Sequence, residues 1–137
     1  MRPGVLFLCV HNAGRSQMAA GFMRTHGGDS VEVLSAGSEP AASLNPVAVQ
    51  AMREVGIDIA AQSPRRWSEE MIGSVDVVVT MGCGDTCPYV PGTRYIDWEI
   101  EDPAGKDLDL VRPIRDELER RVKTLLAELV GGPAQPA

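Results

Sequence analysis

The chain has 137 residues, 44% of them hydrophobic and 23% charged, which suits one domain with its own core. Its formal charge is −6, so it lacks the basic footprint of non-specific nucleic-acid binding, and any anion it holds must be gripped by local donors. No apolar run approaches the roughly 18 to 20 residues that span a bilayer, and "MRPGVLFLCV" leads into no small-residue cleavage site. The expectation is a cytoplasmic protein with neither a nucleic-acid nor a membrane partner.

Aromatic residues make up only 4%, so Val, Leu, Ile, Ala and Met must build the core. Gly4 to Val10 is continuously apolar and reads as a buried strand. Ser16 to Thr25 has the residues of a helix, with Ser16 at its first turn, and "HGGD" breaks it. Val31 to Ala36 alternates as a second strand. In Asn45 to Val55 a capping Asn and a Pro at the first helical position open a helix that Gly56 closes. Val75 to Thr80 has the unbroken apolar character of a parallel strand buried on both faces, and Arg94 to Trp98 is a short fourth strand. Between Leu108 and Val130, the residues Val111, Ile114, Leu118, Val122, Leu125, Leu126 and Leu129 form one helical stripe. The expected architecture is α/β: a three-layer sandwich with a central four-stranded parallel sheet flanked by helices. Residues 1–130 would form one domain and "GGPAQPA" (131–137) a flexible tail. Ligands of such sheets bind at the carboxyl ends of the strands, the edge where Cys9 and Cys83 would both lie.

Cys9 to Arg15 is C-x5-R, followed by Ser16, at a strand-to-helix junction. There the backbone N–H groups of Val10, His11, Asn12, Ala13 and Gly14 can curl around one oxyanion, favoured by the helix dipole. Gly14 permits close approach, and Arg15 offers a planar fork matching two oxygens of a tetrahedral anion. Such surroundings favour the thiolate of Cys9, the nucleophilic form, and Ser16 can donate to it. Asp102-Pro103, taken alone, reads as a common turn. Cys83 and Cys87 form C-x3-C on a Gly- and Pro-rich stretch. A zinc site needs about four ligands, and Cys9, His11 and His26 repeat no paired spacing, so no metal is expected. Two loop thiols beside a nucleophilic thiol leave a redox reading. Arg65, Arg66 and the charges of the last helix read as solvated surface, His11 as turned to solvent, and Trp67 and Trp98 as packing residues.

The C-x5-R-S segment resembles that of the low-molecular-weight protein tyrosine phosphatases. With "VLSAGSEP", "LNPVAVQAMREVGIDI", "DVVVTMGCGDTCP" and "DWEIEDPAGK", nearly the whole chain resembles the thioredoxin-coupled, three-cysteine arsenate reductases built on that fold. The resemblance implies that Cys9 attacks arsenate, bound by residues 10–15, while Asp102 assists loss of water. Cys83 then attacks Cys9 and releases arsenite, and Cys87 attacks Cys83 to leave a Cys83–Cys87 disulfide that thioredoxin reduces. No cofactor is implied beyond electrons from thioredoxin. Two departures stand out: the family's potassium-site glutamate falls at Ala20, although Asn12 and Ser35 match other parts of that site, and the loop cysteines are closer together. A tyrosine phosphatase shares the first half of this chemistry but predicts aromatic residues around the acid, where Ala104 and Gly105 stand. Mycothiol is an alternative electron donor. A non-catalytic oxyanion or arsenite sensor would have no need of Asp102.

Overall fold

The computed structural model describes residues 2–82 and 89–130, so Cys83, Cys87 and residues 131–137 lie outside the described residues. The central strand β1 (Gly4–Cys9) is buried at every position. It pairs with β2 (Glu32–Gly37) on one side and β3 (Val77–Thr80) on the other, and β4 (Arg94–Asp97) lies beyond β3. The order is β2-β1-β3-β4 and every pairing is parallel, as the unbroken apolar runs imply.

Side chains along β1 alternate between two cores, which is why the run carries no polar residue. Val5, Phe7 and Cys9 face the larger core, built with α1 (Arg15–Gly27), α2 (Pro46–Glu54) and the stripe of α4 (Leu108–Val130). Leu6 and Leu8 face the smaller one, closed by Ala36, Val75, Val78 and Ile72 of α3 (Glu69–Gly73). Phe7, Phe22 and Leu118 are fully buried, each contributing about 1.5–3 kcal/mol from apolar burial. Trp98 packs on Phe7 with ring centroids 5.9 Å apart, and Trp67 lies under the Arg66 guanidinium at 5.3 Å.

Most elements fall where the sequence reading puts them, and the differences have local causes. The third strand starts at Val77 because the Asp76 carboxylate accepts the Gly4 amide at 2.7 Å and clamps the entry of β1. The short α3 was not anticipated; Ser68 caps it by accepting the Met71 amide at 3.1 Å. Arg115 corrects the expectation of a wholly solvated charged face on α4. It is buried, donating to Glu54 at 2.8 Å, Asp116 at 2.9 Å and the Ala51 carbonyl at 3.0 Å.

The register sets the functional edge. Cys9 lies opposite Gly37, Leu8 opposite Thr80, and Met81 donates its amide to Leu8 at 2.8 Å. The carboxyl ends of β1, β2 and β3 therefore align, as ligand-binding parallel sheets require.

Candidate active site

The loop from Cys9 to Gly14 is shaped by where its carbonyls go. Those of Cys9, Val10, His11 and Ala13 accept amides of Ser38 (3.3 Å), Glu39 (2.8 Å), Ala41 (2.9 Å) and Asn45 (2.9 Å). The Asn12 carbonyl accepts from Gln17 at 2.9 Å. The amides of residues 11–14 donate to no acceptor among the described residues. A loop whose carbonyls are all held by the surrounding chain and whose amides are spare is an anion cradle. Asn45 also caps α2, accepting from Val47 at 2.9 Å and Ala48 at 3.3 Å, so one residue fixes both the loop and a helix.

Asn12 turns the loop through the left-handed region, with φ 51°, which Asn tolerates better than most residues. Its Oδ1 accepts the Arg65 amide at 2.9 Å and Gln17 Nε2 at 3.1 Å, so its Nδ2 must face Ser16 Oγ, 2.6 Å away. Ser16 Oγ accepts there, and its own proton is left for Cys9 Sγ at 2.9 Å. That polarity makes Cys9 Sγ the acceptor of the pair.

Arg15 begins α1 and is buried, donating to the Ile100 carbonyl at 3.2 Å. Its other terminal nitrogen is 3.6 Å from Asp102 Oδ2, a loose contact with a half-exposed carboxylate. Asp102 is oriented by the Ala104 amide, which donates to Oδ1 at 3.0 Å. Cys9, Ala13, Gly14, Arg15, Asp102 and Pro103 help enclose a cavity of 190 Å³. A Cβ on Gly14 would come within 2.7 Å of Pro103 Cγ, so the Asp-Pro turn can close over the loop only because residue 14 is glycine. The structure thus brings together Cys9, residues 10–15, Ser16 and Asp102. His11 is exposed, with Nδ1 3.1 Å from the Glu39 carbonyl, as expected.

Residues 4–132 match the family of low molecular weight phosphotyrosine protein phosphatases. This chain belongs to that family. Among its relatives, an arsenate reductase of Halalkalibacterium halodurans is 42% identical, the match covering 88% of this chain and 92% of that protein. A glutaredoxin arsenate reductase of Synechocystis is 38% identical, with 91% and 97% covered. A solved thioredoxin-dependent arsenate reductase of Corynebacterium glutamicum superposes with a TM-score of 0.82 at 41% identity. The match covers 93% of this chain but only 62% of that one.

Within this low-molecular-weight phosphatase framework, the residues corresponding to a potassium site do not fit a cation. Asn12 Oδ1 is taken by two N–H donors, and the Ser35 carbonyl accepts Arg65 Nε at 3.1 Å. Ala20 is buried and brings no carboxylate. The guanidinium of Arg65 thus brings a positive charge to the Ser35 carbonyl.

Sequence reasoning missed Gln17 and Gln62. Gln17 is buried, reaches Asn12 and the Ser63 carbonyl (3.1 Å) through Nε2, and accepts from Gln62 Nε2 at 2.5 Å. The available signal was a Gln among Met, Ala and Phe on a helix that turns out to be buried over its first nine residues. Such a polar group must find partners. The backbone of Gly82, at φ 80°, was also not singled out. It lies against Arg15, whose Nη1 would collide with any Cβ there.

Proposed function

We propose that this chain reduces arsenate to arsenite, with Cys9 as nucleophile and Cys83 and Cys87 as a relay discharged by thioredoxin. The observation that carries this reading is the seat of Gly82 against Arg15. Gly82 is the last described residue before the C-x3-C segment, whose first residue, Cys83, follows it directly in sequence. Thiol exchange requires the attacking sulfur to reach its target, and consecutive α-carbons are only about 3.8 Å apart. A simple phosphatase has no use for two thiols at that point. The names of the relatives agree with a reductase and divide over the electron donor, one glutaredoxin and one thioredoxin.

Arsenate sits among the spare amides of residues 11–14 with Arg15 across two of its oxygens. The Cys9 thiolate forms an S–As bond, and one oxygen leaves as water with a proton delivered from Asp102. The Cys83 thiolate then attacks Cys9 Sγ. The S–As bond breaks with its electron pair staying on arsenic, which passes from As(V) to As(III) as two thiols become a disulfide. The Cys87 thiolate attacks Cys83 and expels Cys9 as a thiolate, received by the Ser16 hydroxyl. A thioredoxin dithiol returns the two electrons by reducing Cys83–Cys87.

The test is arsenite formation with thioredoxin, thioredoxin reductase and NADPH, run beside p-nitrophenyl phosphate hydrolysis. Reduction should dominate, and Cys9→Ser should abolish both activities, because an alcohol is a far weaker nucleophile than a thiolate. Hydrolysis without arsenite formation under any thiol donor would overturn the reading in favour of a phosphatase.

A further inference from the structure

A second cavity, of 300 Å³, lies behind the anion cradle and is lined by Gln17, Arg24, Ser35, Gln62, Ser63 and Arg65. No carboxylate lines it, which is unusual for a chain with 19 acidic and 13 basic residues. Every arginine outside this region contacts a carboxylate within 4.0 Å. Arg24, Arg65 and Arg66 do not, among the described residues, and Arg66 is engaged with Trp67 and the Ser38 carbonyl. Arg24 and Arg65 instead spend donors on neutral acceptors. Arg24 donates to Gln62 Oε1 at 2.8 Å and the Val33 carbonyl at 3.2 Å, and Arg65 to the Ser35 carbonyl at 3.1 Å through Nε alone. These bonds hold both guanidinium groups at the cavity, while the terminal nitrogens of Arg65 have no partner among the described residues.

We propose that this cavity is a second anion site, taking a small tetrahedral oxyanion between Arg24 and Arg65. Two positive groups held together without a counter-charge are mutually unfavourable. Both residues are exposed at the cavity mouth, yet partial desolvation pulls Arg24 below its ordinary range and the charge of Arg65 adds to that. A doubly charged oxyanion relieves this cost and offers each fork two oxygens. In an acidic protein the global field opposes anions, so binding must rest on these local donors. The hydroxyls of Ser35 and Ser63 line the cavity as neutral donors, while the Gln62 amide is spent on Gln17 and holds Arg24 in place. The site is joined to the cradle, since Gln17 lines the cavity and donates to Asn12, whose Oδ1 also accepts the Arg65 amide. An ion bound here braces the far side of the loop that holds Cys9.

The experiment is a titration of ¹⁵N-labelled full chain with sodium sulfate against sodium chloride at equal ionic strength, read by amide and side-chain shifts. Sulfate should move two sets of resonances with separate dissociation constants, one on residues 11–15 and one on Ser35, Gln62 and Arg65. Arg24→Gln should weaken the second set about tenfold, the loss of one charge-assisted pair, and leave the first unchanged. Arg24→Lys should retain most of the binding and controls for folding of the Gln variant. Arg15→Ala should do the reverse, removing only the first set. If chloride reproduces the second set, or Arg15→Ala abolishes it along with the first, or sulfate leaves Ser35 and Gln62 unmoved, the second site does not exist.

Discussion

Arg15 and Arg115 are almost equally buried, at 7% and 8% exposure, yet they have opposite surroundings. Arg115 lies where α4 crosses α2 and is saturated, with two carboxylates and a carbonyl all within 3.0 Å. Among the described residues Arg15 has one carbonyl at 3.2 Å and a carboxylate that stays 3.6 Å away. A buried cation that folding has fully paired is a structural element. One left with spare donors facing a cavity is held for a ligand, and the fold bears its desolvation to do so. The two regions divide the work of the molecule: the α2–α4 seam holds the core together, and the β1–α1 junction stays poised.

Exchanging each arginine for lysine should break that symmetry. Arg15→Lys should lower kcat/KM for arsenate by about 100-fold or more, since a point charge cannot reproduce a fork aimed at two oxygens, with little change in melting temperature. Arg115→Lys should do the opposite, leaving turnover per folded molecule intact while costing about 1–2 kcal/mol of stability from lost hydrogen bonds. Steady-state kinetics and denaturant unfolding on the same two preparations make the comparison. Equal effects on activity would remove the distinction.

Pairing at the seam also sets a pH signature. Glu54 is held at about 2, first by the hydrogen bond from Arg112 and then by that from Arg115, against an opposing desolvation. A carboxyl lowered in the folded state stabilises above its unfolded value, here 4.5, and that stabilisation is lost as pH falls toward 2. Glu54→Gln should therefore unfold more easily than the parent at pH 7, with the gap in melting temperature closing between roughly pH 4.5 and 2. A gap independent of pH would mean that the seam is held by packing alone. This is the smallest of the expected effects, because these groups are partly exposed and screened.

The contrast also explains what could be read from residue order. The cradle was legible because C-x5-R-S is local: eight consecutive residues at a strand end define the loop, the charge and the nucleophile. Asp102 was legible only through its resemblance, because an Asp-Pro pair carries no sign of what it faces. The pairing of Arg115 with Glu54, 61 residues away, was not legible at all. It depends on the crossing of α2 and α4, and on the sequence a charged residue beside an apolar stripe looks like solvated surface. Gln17 and Gln62 were hidden for the same reason, since they pair with each other across 45 residues and Gln17 reaches the Ser63 carbonyl only once the sheet has formed. The Arg24–Arg65 cavity likewise joins residues from α1 and from the segment after α2. Strands and long helices follow from periodicity, whereas polar contacts across elements follow from topology.

The central claim is that oxidation leaves Cys9 through two further thiols, and a single turnover reads it directly. Arsenate is added to fully reduced protein without thioredoxin, free thiols are trapped by alkylation, and the disulfides are mapped by mass spectrometry. Wild type should carry a Cys83–Cys87 bridge, because a short C-x3-C segment pairs readily with itself and frees Cys9. Cys87→Ser should stop after one arsenite with a Cys9–Cys83 bridge. If Cys87→Ser instead cycles with thioredoxin as fast as wild type, the three-thiol relay is contradicted and direct reduction at Cys9 or Cys83 takes its place.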